Sequence, residues 1–341
     1  MGVIVLFLSF FVFIFVGSPI ALALGGSALI YIVLFANVSP LIVMQQILAS
    51  VNTYTLLAVP FFIMAGALME TGGISKRIVS FCQALVGHFT GGLALVVVLA
   101  SVFFAAMTGS GVAACAAVGG IMIPMMVKNG YHSDFACALQ ATSGIFGPLI
   151  PPSIVMVLYA VYANQSVSTM LMAGVGPGLM QAAMVCILAV WICHRRGYAG
   201  VGSFSMKRLL KEFGSSFWAL LAPVIILGGI YSGVVTTTEV ACVSVIYALI
   251  VSVFIYKTVE VRKIFWLVGE SCRALAPLAL MMAVATAFGR VLTILQIPTI
   301  LAQFITSNFH SKVEILLIIN VALLLIGMVM DTGPALLILA P

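Results

Sequence analysis

Met107-Thr108-Gly109-Ser110-Gly111 interrupts an apolar run that extends from Leu93 to Val127 without a charge. The run is long enough to cross a bilayer, but small and hydroxyl residues break it in the middle. A break in hydrocarbon strands backbone N–H and C=O groups, which is tolerated only where protein buries them or a watery cavity reaches them. A break facing a cavity offers carbonyls, hydroxyls and helix ends to a solute or an ion. A second break follows at Ser143-Gly144-Ile145-Phe146-Gly147-Pro148-Leu149-Ile150-Pro151-Pro152-Ser153. Three prolines there remove N–H donors and cannot continue a helix.

Working outward, hydrophobic residues make up 64% of the chain and charged residues 6%. A soluble domain carries about 25% charged residues, so the reading is an all-α integral membrane protein. The net charge of +6 sits in short loops, where it reports orientation and not nucleic-acid binding. The cysteines are scattered singly, as small apolar filler. No basic segment precedes the first apolar run, so no cleavable signal is expected.

Spans are expected at about 3–16, 20–36 and 54–69, with a mixed stretch at 37–52 and an amphipathic one at Ile78–His88. Arms at about 91–107 and 112–126 form either a hairpin that returns to its own side (about 91–127) or one continuous span. A broken span follows at 133–163, then a full span at Met170–Cys193 and a basic hydrophilic loop, Arg195–Lys211. Further spans are expected at 217–235 and 240–256. A short amphipathic piece at 264–270, a span at 274–288 and a mixed segment at 291–309 come next, before a second hairpin from about 313. With a hairpin at the first break, all the basic residues except Arg290 and Lys312 fall on one side. The positive-inside rule then favours the hairpin, a cytoplasmic Arg195–Lys211 loop and an outer, periplasmic N-terminus.

Weak self-similarity recurs in constant order. Ser18-Pro19-Ile20 pairs with Thr237-Thr238-Glu239, Pro60-Phe61-Phe62 with Pro277-Leu278-Ala279, Thr71-Gly72-Gly73 with Phe288-Gly289-Arg290, and Thr108-Gly109-Ser110 with Thr332-Gly333-Pro334. One extra span separates the copies, which inverts the second. The expected organisation is a first repeat at 1–169, a connecting span and loop at 170–216, and a second repeat at 217–341. The second repeat lacks about 80 residues that the first contains, so the chain is expected to be part of a longer protein.

The candidate binding residues are Thr108, Gly109, Ser110 and Gly111 at the first tip, and Ser143, Gly144, Gly147, Pro148, Pro151, Pro152 and Ser153 at the facing break. Asp331, Thr332 and Gly333 stand at the second tip. Intramembrane acids are costly and usually functional, which singles out Asp331 as an ion ligand, a proton carrier or a helix cap. Glu239 is expected to cap a span, and Glu70 to do the same on the other side. A carboxylate suits half-helix N-termini, which need no buried cation. No His lies within a span to act as a base for a serine protease, and no nucleotide-binding Gly-x4-Gly-Lys loop exists. Neither enzyme nor primary pump fits.

Pro60-Phe61-Phe62-Ile63-Met64-Ala65-Gly66, Gly72-Gly73-Ile74-Ser75-Lys76-Arg77, Thr108-Gly109-Ser110-Gly111-Val112-Ala113, Ile150-Pro151-Pro152-Ser153, Thr236-Thr237-Thr238-Glu239 and Met330-Asp331-Thr332-Gly333-Pro334 resemble the large membrane subunit of TRAP (tripartite ATP-independent periplasmic) transporters. Thr108 stands where Ser is commoner, and the C-terminal part of the pattern is missing. The resemblance implies import of a small organic acid across the bacterial inner membrane, driven by a sodium gradient. It implies inverted repeats with re-entrant hairpins, and an elevator-type scaffold and transport domain. It also implies a periplasmic substrate-binding protein and a small four-helix membrane subunit as partners. Sodium, the only implied cofactor, is expected near Ser110, Gly109, Asp331 and Thr332. A self-contained sodium- or proton-coupled carboxylate carrier without a binding protein stays open.

Overall fold

A computed structural model describes residues 2–35, 41–309, 311–328 and 332–339. Every element among them is helical: α1 (Gly2–Phe15), α2 (Ile20–Phe35), α3 (Leu41–Val51), a 3-10 turn (Tyr54–Leu57), α4 (Ala58–Thr71), α5 (Ile74–Val86), α6 (Gly92–Thr108), α7 (Gly111–Lys128), α8 (Ser133–Gly144), α9 (Phe146–Leu149), α10 (Ile154–Tyr162), α11 (Val167–Arg196), α12 (Met206–Ser232), α13 (Thr237–Leu249) with a π-helical turn (Ile250–Ile255), α14 (Val261–Ile294), α15 (Ile297–Asn308), α16 (Lys312–Gly327) and α17 (Thr332–Leu339). Among the described residues, 7 helical segments are long and apolar enough to cross a membrane. The chain is a multi-pass membrane protein.

The helices fall into two compact units, Met1–Tyr54 with Arg273–Pro341, and Thr55–Cys272. In the first unit α1 and α2 pair, and the rings of Phe7 and Phe10 lie 6.5 and 5.8 Å from that of Phe288. Repeats are relations of sequence and units are relations of packing, so their boundaries differ.

In the second unit, α4 lies along α13. The Ser252 hydroxyl donates to Leu68 O (3.2 Å) and the Thr258 hydroxyl to Gly72 O (2.8 Å). Amphipathic α5 buries Ile74, Ile78, Val79 and Cys82, the spacing of one helix face. The segment α6–α7 is a hairpin and not a continuous span, because both of its ends meet Tyr198. Gly91 N–H donates to Tyr198 O (3.2 Å), His132 N–H donates to Tyr198 Oη (3.2 Å), and the Tyr131 ring stacks at 4.2 Å from that of Tyr198. From that base α8 runs back toward the hairpin tip, and α9 and α10 continue the broken span.

Three expectations change. The basic stretch Arg195–Lys211 is not one loop: α11 runs to Arg196 and α12 starts at Met206, because Leu, Lys and Arg are good helix formers. The separate segments at 264–270 and 274–288 are one helix, α14, which carries Pro277 inside it. Glu70 caps nothing: it lies in the last turn of α4, which ends on Gly72, where an acid opposes the helix dipole. Glu239 does cap, forming a full capping box with Thr236 at the start of α13.

Candidate functional site

Four helix ends meet where the α6–α7 tip touches the α8–α10 break. Gly109 terminates α6 with φ +62°, a conformation that suits glycine, and its N–H donates to Ala105 O at 2.9 Å. The Thr108 hydroxyl donates to Phe104 O (3.1 Å) and accepts Ser110 N–H (3.4 Å). Ser110 then caps α7, its Oγ accepting Ala113 N–H at 3.3 Å. Ser153 repeats the device at α10. It accepts Met156 N–H (3.2 Å) and donates to Pro148 O (2.6 Å). The two caps are tied together by Ile154 N–H, which donates to Gly109 O at 3.4 Å.

The prolines explain the freed carbonyls. Gly144 and Gly147 would use residues 148 and 151 as their helical i+4 donors, but Pro148 and Pro151 have no N–H. Pro148 O loses its donor to Pro152 in the same way, and Ser153 replaces it.

Glycines let the two segments touch main chain to main chain. A Cβ on Gly109 would collide with Pro152 O, one on Gly111 with Gly144 O, and one on Gly147 with Gly111 N and Ser110 C. Gly66 of α4 backs the tip, where a Cβ would stand 3.2 Å from the Thr108 side chain.

The electrostatics follow from the helix ends alone, since residues 108–111 and 143–153 include no charged side chain. The N-termini of α7 and α10 present partial positive charge, and the C-termini of α6 and α8 present partial negative charge. Thr108, Ser143 and Ser153 are buried and Ser110 is half-exposed. Beside Ser110, Val112 is 79% exposed, and across from it Ile145 is 47% exposed. Such a site can hold a carboxylate on N–H groups. It can also hold a hard cation on the Ser110 hydroxyl and the Gly144 and Gly147 carbonyls.

The structure therefore brings together the eleven candidates between Thr108 and Ser153. Ser143 takes a lesser part, because its hydroxyl donates to Leu139 O at 2.8 Å. Thr332 and Gly333 belong to the other unit, at the start of α17, where Gly333 is buried near Leu278 and Met281. Asp331 lies outside the described residues.

Sequence reasoning missed Gln140. It lies on α8, buried against both hairpin arms, and its Nε2 donates to Ser101 Oγ on α6 and Ala114 O on α7, each at 3.4 Å. A lone glutamine in an apolar helix was the available signal. Cys115, read as filler, does fill space beside Gly144, and its Sγ also donates to Gln140 O at 3.5 Å.

Residues 7–341 match the family model of the tripartite ATP-independent periplasmic transporter, DctM component. The isethionate TRAP transporter permease protein of Oleidesulfovibrio alaskensis is 38% identical over 338 residues, which are 99% of this chain and 53% of that protein. The sialic acid TRAP transporter large permease protein of Vibrio cholerae is 37% identical over 328 residues, 96% of this chain and 77% of its own length. The C4-dicarboxylate TRAP transporter large permease protein of Pseudomonas aeruginosa is 39% identical over 319 residues, 94% of this chain and 75% of its own. These relatives are transport permeases and not enzymes. With its helix ends gathered at a glycine–serine tip, and with these matches along nearly its whole length, the chain belongs to the large permease (DctM) family of TRAP transporters.

Proposed function

We propose that this chain is the permease subunit of a secondary importer that moves a small organic acid across the bacterial inner membrane on a sodium gradient. The observation that carries the reading is the convergence of two capped helix N-termini and two helix C-termini at a tip without charged side chains. Isethionate, sialic acid, C4-dicarboxylates and 2,3-diketo-L-gulonate are named for relatives. All carry an acidic group and differ in the rest of the molecule. A site that recognises the anionic group through backbone N–H groups accommodates that range.

At the first tip, sodium would be held by Ser110 and Gly109 with the freed carbonyls of Gly144 and Gly147; at the second tip, Asp331 and Thr332 are separate candidate sodium ligands. The hairpin is read as re-entrant, the two halves as inverted repeats (1–169 and 217–341), and the motion as an elevator-like slide of the hairpin-bearing part. The N-terminus is placed outside, and the 197–205 loop with its flanking basic residues inside. A periplasmic binding protein delivers the acid, and a small four-helix subunit packs on the apolar exterior.

The test is uptake into proteoliposomes holding the permease with its small subunit. Cognate binding protein is supplied outside, under an inward sodium gradient and then with potassium in its place. Uptake requiring both sodium and the binding protein is expected. Uptake unchanged without the binding protein, or driven by protons, overturns the tripartite reading in favour of a self-contained carrier.

A further inference from the structure

A cavity of about 690 Å³ opens beside α7, two turns below the hairpin tip at Ala117 and Ile121, and no step proposed above uses it. Its far wall is the start of α5. Gly73 occupies the N-cap of that helix at φ +69°, and no side chain caps the first turn. Ser75, in that turn, is only 6% exposed and lines the cavity, yet its hydroxyl has no hydrogen-bond partner. A buried hydroxyl without a partner costs stability, and an oxygen of a ligand in the cavity would supply that partner.

Lys76 and Arg77 line the same space. The Arg77 guanidinium is fixed in place: Nη1 donates to Gly73 O at 3.1 Å, and the group lies 3.7 Å over the Tyr256 ring. Glu70 and Glu212 also line the cavity.

We propose that this cavity binds an oxyanion, a phosphate or carboxylate group, held by the open first turn of α5, the Ser75 hydroxyl and the cations of Lys76 and Arg77. Backbone N–H groups at a helix start and an immobilised guanidinium are matched to such a group. Glu70 and Glu212 oppose it and set a modest affinity. The oxyanion belongs either to a free solute or to the headgroup of an inner-leaflet lipid.

The test uses the full chain in nanodiscs of neutral lipid, titrated calorimetrically with inorganic phosphate. Saturable binding is expected, weakened about ten-fold or more by Ser75→Ala and strengthened by Glu212→Gln. Arg77→Leu removes a contact to Tyr256 and endangers folding, so Ser75→Ala, which breaks no hydrogen bond of the empty protein, decides the matter. A second arm repeats the titration in nanodiscs containing phosphatidylglycerol. Competition by the lipid in the wild type but not in Ser75→Ala identifies a headgroup, and phosphate binding of equal strength in both lipids identifies a free solute. Absence of saturable phosphate binding in neutral lipid overturns the proposal. So does binding that Ser75→Ala and Glu212→Gln leave unchanged. The measurement reads binding alone, so its failure leaves the transport reading standing.

Discussion

Gly147→Ala places one methyl group against the backbone of the opposing tip. The added Cβ would stand 2.6 Å from Gly111 Cα, and nearer still to Gly111 N and Ser110 C. Carbon atoms in contact sit about 3.5–4.0 Å apart, so the tip and the break must separate by about 1 Å. No rotamer change relieves the clash, because the three nearest atoms are all main chain. Overpacking of this kind costs about 1–3 kcal/mol. The larger effect is on function, since a displacement of about 1 Å at a positioned site can cost on the order of 10²-fold in rate. Gly120→Ala is the control: it lies on the same hairpin, and its Cβ would meet nothing within 4 Å. There alanine gains up to about 1 kcal/mol of helix propensity. Sodium-driven uptake and the thermal melt are measured on both purified variants. Gly147→Ala should lose most uptake while still folding, and Gly120→Ala should transport normally. Normal transport by Gly147→Ala, or equal losses in both, would refute the assignment of this contact as the site.

Ser153→Ala removes the α10 cap and the donor to Pro148 O together; a loss of about 1 kcal/mol or more is expected in chemical denaturation, with weaker binding of the acid. Tyr198→Ala removes the Tyr131 stack and the bond from His132 N–H but keeps the carbonyl that Gly91 N–H uses, so faster hydrogen exchange is expected at 129–132 and less change at 91–95, whereas Tyr198→Phe keeps the stacking and loses only the bond from His132 N–H. Burial pushes the Cys82 thiol up to about 12, so the thiolate is scarce at pH 8 and alkylation of Cys82 should require unfolding. On the proposed mechanism, sodium should raise the affinity for the acid and the acid should raise that for sodium by the same factor; calorimetry showing independent binding would remove the coupling.

The interrupted run at Gly109-Ser110-Gly111 was legible because small hydroxyl residues in an apolar stretch have few structural uses, and because the basic residues sorted onto one side only if the chain turned back there. The partner of that tip was not legible. Nothing local states that Gly147 rests on Gly111, since a glycine that accommodates a backbone and one that merely bends a chain look alike in sequence. Tyr198 reads as an ordinary loop aromatic until the hairpin ends arrive on either side of it. The polar stretch Glu270-Ser271-Cys272-Arg273 resembles a helix boundary, yet α14 runs through it, as none of the four is a strong helix breaker. Local chemistry marked where the backbone gives way, and packing decided what the freed groups face.

A tip without charged side chains bears directly on coupling. Each helix N-terminus acts as about half an elementary positive charge and each C-terminus as about half a negative one. Two of each leave the empty site close to neutral, a state that costs little in a low-dielectric setting. A carboxylate bound alone would leave a net negative charge there, and sodium bound alone a net positive one; either is expensive to bury. Bound together they restore neutrality, so each ligand lowers the cost of the other. A buried Arg or Lys would remove that dependence, because it would neutralise the carboxylate without sodium and hold the acid after the ion had left. Absence of fixed charge at 108–111 and 143–153 is thus a property the proposed symport requires, and Ser110→Lys is a substitution that should uncouple the two ligands.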